Sequence, residues 1–109
     1  MAAACAGYNN IEVIPSGVFR GLNRLRHVDL RANSLATLAV GVFEGLINLR
    51  TVYLQDNFIQ QLDSRSFRQL PQLRLLQLSR NRIANIRVMA FEAVPQVRLV
   101  QPEASRVEG

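Results

Sequence analysis

Residues 25–38 read Leu-Arg-His-Val-Asp-Leu-Arg-Ala-Asn-Ser-Leu-Ala-Thr-Leu, and the same apolar pattern returns at 49–62 and 73–86. Leu25, Leu49, Leu73 and Val97 form one column at a step of 24 residues. Val28, Val52, Leu76 and Val100 form the next, then Leu30, Leu54 and Leu78. Asn9, Asn33, Asn57 and Asn81 keep the same step. They are followed by Ile11, Leu35, Ile59 and Ile83, and by Ile14, Leu38, Leu62 and Ile86. Phe19, Phe43, Phe67 and Phe91 come next, and Leu22, Leu46, Leu70 and Val94 close the unit, with no insertion or deletion in the register. A fixed period of this length marks a stacked array, in which each unit buries its apolar face only against its neighbours.

Val28 and Leu30 lie two residues apart, as do Val52 and Leu54, and Leu76 and Leu78. That spacing puts each pair on one face of a short strand and leaves Asp29, Tyr53 and Gln77 on the other. Stacking then makes the strands neighbours in a parallel sheet, about 4.8 Å apart. Each asparagine falls where the chain leaves its strand, among aliphatic neighbours. An amide buried there needs backbone partners, since an unsatisfied buried polar group costs about 1–3 kcal/mol.

The run Leu25-x-x-Val28-x-Leu30-x-x-Asn33-x-Leu35-x-x-Leu38, followed by Phe43 and Leu46, resembles the leucine-rich repeat family in its 24-residue form. The units beginning at Leu49 and Leu73 match it equally, and the resemblance runs from about residue 9 to residue 100. It implies an α/β leucine-rich-repeat solenoid: a curved stack of coils with short parallel strands on the concave face and an irregular, 3-10 or short helical convex side. It also implies an asparagine ladder through Asn9, Asn33, Asn57 and Asn81, with the phenylalanines as an aromatic spine rather than a cofactor site. One domain is expected, divided into a degenerate first repeat (1–24), repeats 25–48, 49–72 and 73–96, and a partial repeat with a frayed tail (97–109).

At 109 residues, 49% of them apolar, the chain is long enough for a continuous core. No apolar run approaches the roughly 18 residues of a membrane span, and residues 1–10 do not read as a signal peptide. The single cysteine, Cys5, allows no internal disulfide. Extracellular members of the family usually close each end with a cysteine-rich cap, and here the ends fade instead. Ala4 and Ala6 hold the columns of Val28 and Leu30, Pro102 falls in the Leu30 column, and Ser105 replaces the asparagine. Open ends expose the core, so the reading is a segment of a larger receptor or matrix protein, or self-association through those ends. The phenylalanine-containing pattern resembles repeats of secreted proteins and receptor ectodomains, which implies an extracellular location, although no Asn-x-Ser/Thr acceptor is present.

The outward positions of the sheet face are His27, Asp29 and Arg31, then Thr51, Tyr53 and Gln55, then Leu75, Gln77 and Ser79, with Leu99 and Gln101 continuing the columns. Turn-side Asp56 and Arg80 extend the face. Tyrosine and arginine among mixed polar groups suit a protein-binding patch; an ordinary solvated face is the alternative for any one residue. Arg26, Arg50, Arg74 and Arg98 form an unbroken basic column, which fits a sulfated glycan or another polyanion or simply covers the rim of the core. Arg20, Glu44, Arg68 and Glu92 alternate in sign and predict ion pairs between neighbouring coils. No nucleophile sits convincingly beside His27 and Asp29, and one histidine with one cysteine makes no metal set. Neither catalysis nor a cofactor is expected. Without interleaved aromatics, nucleic acid is not the expected partner either. The leading reading is a non-enzymatic protein-binding module; polyanion binding and a purely architectural spacer are the alternatives.

Overall fold

A computed structural model of the chain describes residues 3–5, 7, 9–15, 17–39, 41–61, 67, 69–83, 85–87, 98–100 and 106–108. Its strands are β1 (Ala3–Cys5), β2 (His27–Asp29), β3 (Thr51–Tyr53), β4 (Leu75–Gln77), β5 (Asn85–Arg87), β6 (Arg98–Val100) and β7 (Arg106–Glu108). β1, β2, β3, β4 and β6 lie side by side in that order as one parallel sheet. Parallel neighbours require a return path of about a dozen residues or more, and the remainder of each 24-residue unit supplies it. Val28 stands opposite Val52, and Val52 opposite Leu76. The weak first strand forms in the expected register, with Ala4 opposite Val28 and Cys5 opposite Asp29.

The return path runs through tight turns, with no α-helix among the described residues. Leu22 N–H donates to Phe19 O at 3.1 Å and Leu25 N–H to Leu22 O at 3.0 Å. The next coil repeats the arrangement from Leu46 to Phe43 at 3.2 Å and from Leu49 to Leu46 at 3.0 Å. Gly21 and Gly45 open these turns at φ +84° and +87°, a region L side chains avoid.

Inside, the leucine and valine columns are buried from Leu25 to Leu78. Phe19, Phe43 and Phe67 stack as a spine, with ring centroids 5.9 and 5.8 Å apart; Phe91 lies outside the described residues, as do Leu62, Val94 and Val97. The asparagine ladder is present in detail. Asn57 Oδ1 accepts Leu35 N–H at 3.1 Å, and its Nδ2 donates to Leu30 O and Leu54 O, both at 3.0 Å. Asn33 accepts from Ile11 N–H and Asn81 from Ile59 N–H, each at 3.1 Å. Thus each rung ties its own strand end to the coil before it. Asn9 differs: it is exposed, and its Nδ2 donates to Gly7 O at 3.1 Å.

Two sequence expectations change at the end of the array. β6 pairs with β4 one residue earlier than the 24-residue step requires, with Leu99 rather than Val100 opposite Leu76. Arg98 therefore leaves the Arg26 column and stands opposite Leu75. The missing hydrogen of Pro102 does not account for the slip: Leu30 N–H donates to Tyr53 O and Leu54 N–H to Gln77 O, so donors of this column serve the following coil and not the preceding one. The tail read as frayed also contains structure: β7 pairs in parallel with β5, Ile86 opposite Val107, as a separate two-stranded sheet. Backbone polar groups that find a ladder are satisfied without water, and β-branched Ile86 and Val107 suit it.

Candidate functional site

The outward face of the main sheet is positioned by the inward columns. Burial of Val28, Val52 and Leu76 fixes their neighbours two by two on the opposite face, because the side-chain period of a strand is two. His27 is exposed, and Asp29, Thr51, Tyr53, Leu75 and Gln77 are half-buried. Just beyond the strands, Arg31, Gln55 and Ser79 form the next half-buried row. The sheet register brings His27, Asp29, Thr51, Tyr53, Leu75 and Gln77 onto three adjacent strands.

Two of the three central positions are tied down by their own chain. Asp29 Oδ1 accepts Arg31 N–H at 3.2 Å, while Asp29 Oδ2 pairs with the Arg31 guanidinium at 3.1 Å. Gln77 Oε1 accepts Ser79 N–H at 3.1 Å and Ser79 O–H at 2.6 Å. Both are side-chain turns onto the backbone two residues on, and they lock the rotamers that frame the middle strand. Tyr53 stands between them, and its hydroxyl makes no hydrogen bond among the described residues. Beside it, Gln55 Oε1 is shut away from solvent without a hydrogen-bond partner.

Where the chain leaves the strands, Ala32, Asp56 and Arg80 adopt φ of 56°, 60° and 56°. This left-handed step turns each asparagine inward. It also aims Arg80 at Asp56 across the coils, with Arg80 Nη2 donating to Asp56 Oδ2 at 2.9 Å and Nε donating to Oδ1. Hydrogen bonding to Arg80 holds the Asp56 carboxyl below its ordinary value, the partial burial opposing and the guanidinium charge adding to it. Next along the same flank, the Arg82 guanidinium lies 4.6 Å from the centroid of the exposed Phe58 ring. That contact was legible in principle, because Phe58 and Arg82 are one period apart; neither belongs to an apolar column, so the lattice gives no reason to pair them.

The leucine rich repeat family matches residues 7–50, 23–83 and 47–100, which together cover most of the chain. The chain belongs to the leucine-rich repeat family. No curated protein matches it. Among solved structures, it is similar to that described as the crystal structure of a TLR13-ssRNA13 complex, at 28% identity and a TM-score of 0.82. That match takes in 91% of this chain and 15% of the other, so the chain spans a small part of the length of the protein it resembles.

Within this leucine-rich repeat, the basic column resolves into three residues. Arg26, Arg50 and Arg74 are exposed where the chain enters β2, β3 and β4. Of the alternating column, only Arg20 and Glu44 lie among the described residues, and this pair does not form. The Arg20 guanidinium lies over Gly17 and the Glu44 carboxylate over Gly41, each on its own turn. Both side chains are exposed, and a solvated pair gains too little to hold two long side chains together. Arg68, Glu92 and Gln101 lie outside the described residues. No group of three or more His, Cys, Asp or Glu that could hold a metal occurs among the described residues. No described helix is long and apolar enough to cross a membrane.

Proposed function

We propose that this leucine-rich repeat is a non-enzymatic binding module that takes a protein partner on its sheet face, as part of a larger extracellular receptor or matrix protein. Tyr53 carries the reading. It sits on the middle strand of five, framed by residues whose rotamers are fixed, with a hydroxyl free to bond a partner. A rigid, half-buried aromatic with a polar tip is the kind of anchor that dominates protein interfaces. His27, Thr51 and Leu75 on one side, and Arg31, Gln55 and Ser79 on the other, complete the patch. The larger setting is supported by the 15% share that this chain covers of the chain it resembles.

A second reading comes from the RNA in that neighbour's complex. Among the described residues the sheet face offers Tyr53 and the His27 imidazole as its only rings, and a run of bases needs successive stacking platforms, so the protein partner stands first. The test is affinity capture from a secreted-protein fraction with the parent chain and with Asp29→Ala/Tyr53→Ala/Gln77→Ala. A partner held by the parent and lost by the folded triple variant supports the face. Equal capture by both sinks it, and capture abolished by ribonuclease transfers the assignment to RNA.

A further inference from the structure

The surplus of positive charge, 13 arginines against 8 carboxylates, is unevenly committed. On the side where the chain leaves the sheet, Asp29 neutralises Arg31 and Asp56 neutralises Arg80. On the side where it enters, Arg26, Arg50 and Arg74 stand directly above one another. Arg50 N–H donates to Arg26 O at 2.7 Å and Arg74 N–H to Arg50 O at 2.8 Å, so the rungs are fixed by backbone hydrogen bonds. All three side chains are exposed, and none makes an ion pair or a side-chain hydrogen bond among the described residues. Like charges on rungs about 4.8 Å apart repel, and no carboxylate among the described residues pairs with them.

We propose that Arg26, Arg50 and Arg74 form a ladder that binds a linear sulfated polysaccharide running across the strands along this rim. Three guanidinium forks at even spacing fit a chain of evenly spaced sulfates, each fork matching two oxygens of one group. The neighbouring row is His27, Thr51 and Leu75, which offers an imidazole and a hydroxyl to sugar hydroxyls. Its one aromatic ring is the His27 imidazole, where a run of bases needs successive stacking platforms, so a sugar chain is favoured over a single-stranded nucleic acid. The three arginines lie outside the Tyr53 patch, although the row His27, Thr51 and Leu75 borders both.

The probe is heparin, titrated into the full chain over a range of salt. Arg50→Gln/Arg74→Gln lowers heparin affinity about tenfold at 0.15 M salt, and the slope of log affinity against log salt flattens by about 1.4, as expected for two lost contacts. Arg20→Gln/Arg82→Gln removes the same net charge from elsewhere and shifts affinity less than about threefold. The four side chains are exposed, so both variants keep the parent's melting profile, which is checked first. Equal losses in the two variants overturn the proposal, because binding then follows net charge alone. So does an RNA oligonucleotide or a polyglutamate that matches heparin with the same dependence on Arg50 and Arg74, and so does the absence of heparin binding at low salt.

Discussion

Truncating Asn57 tests the ladder at its best-connected rung. The amide makes four contacts: it accepts Leu35 N–H at 3.1 Å and donates to Leu30 O, Leu54 O and Gln55 O at 3.0, 3.0 and 3.3 Å. Asn57→Ala does not orphan all of these partners. Leu30 O also receives Asn33 Nδ2 at 2.9 Å, and Leu54 O receives Asn81 Nδ2 at 2.9 Å. Only Leu35 N–H is left buried and unpaired, at about 1–3 kcal/mol, and the two carbonyl bonds add about 0.5–1.5 kcal/mol each. The expected loss is about 4 kcal/mol, a large share of the roughly 5–15 kcal/mol that holds a domain together. Urea unfolding followed by far-ultraviolet circular dichroism measures it. The midpoint falls while the slope is unchanged, and thermal melting drops by about 15–30 °C. Asn57→Asp keeps an acceptor for Leu35 N–H but turns an oxygen onto the Leu30 and Leu54 carbonyls, so at pH 7 it is no better than alanine. Asn9→Ala is the control: its side chain is exposed and bonds locally, and less than about 1 kcal/mol is lost. If Asn57→Ala costs under 1 kcal/mol, or if Asn9→Ala costs as much, the ladder does not hold the coils together and the reasoning fails.

Three further outcomes are expected. Phe43→Ala removes the middle ring of the spine, which is stacked on both sides, and costs about 3–5 kcal/mol; an equilibrium loss below 2 kcal/mol in the same urea assay contradicts the packing. Gln55→Met eliminates a buried acceptor without a partner and raises stability by about 1 kcal/mol; a lower melting temperature shows that the amide is satisfied after all. Asp56→Asn loses less than about 1 kcal/mol at neutral pH, because the pair with Arg80 is solvent-exposed. The Asp56 carboxyl is held below its ordinary value in the fold, so this contribution is present above the unfolded value of about 3.9 and disappears as pH falls through the folded value. Parent and variant melts therefore converge in acid, and divergence there refutes the pairing.

The fold was legible because the inward columns cannot vary independently. Val28 touches the rung that Val52 touches, so a change of shape in one coil is felt in the next, and the period survives in the letters. The same logic located the asparagines, whose amides serve backbone groups that exist in every coil. It fails at the end of the array, where the 24-residue step predicts Val100 opposite Leu76; the chain instead slips by one residue, and Arg98 moves out of its column. The tail pairing was hidden for a different reason: β5 and β7 lie apart from the main sheet, and no apolar column leads from one to the other.

The outward face was legible only as a set of positions. Its central column reads Asp29, Tyr53, Gln77, three chemistries that share nothing but their place, because solvent imposes no stacking rule on them. Asp29 and Gln77 nevertheless do the same work, each accepting the backbone N–H two residues on, and that equivalence emerges only from the geometry. Tyr53 cannot do it, and its hydroxyl is left over. The arginine column is the exception among the outward positions, since Arg26, Arg50 and Arg74 repeat with the fidelity of a core column although all three are exposed. Stability does not require that repetition, because stacked like charges oppose it. A carboxylate at any one of the three would relieve the repulsion, and the unrelieved charge is what supports the proposed ligand, one that meets several coils at once.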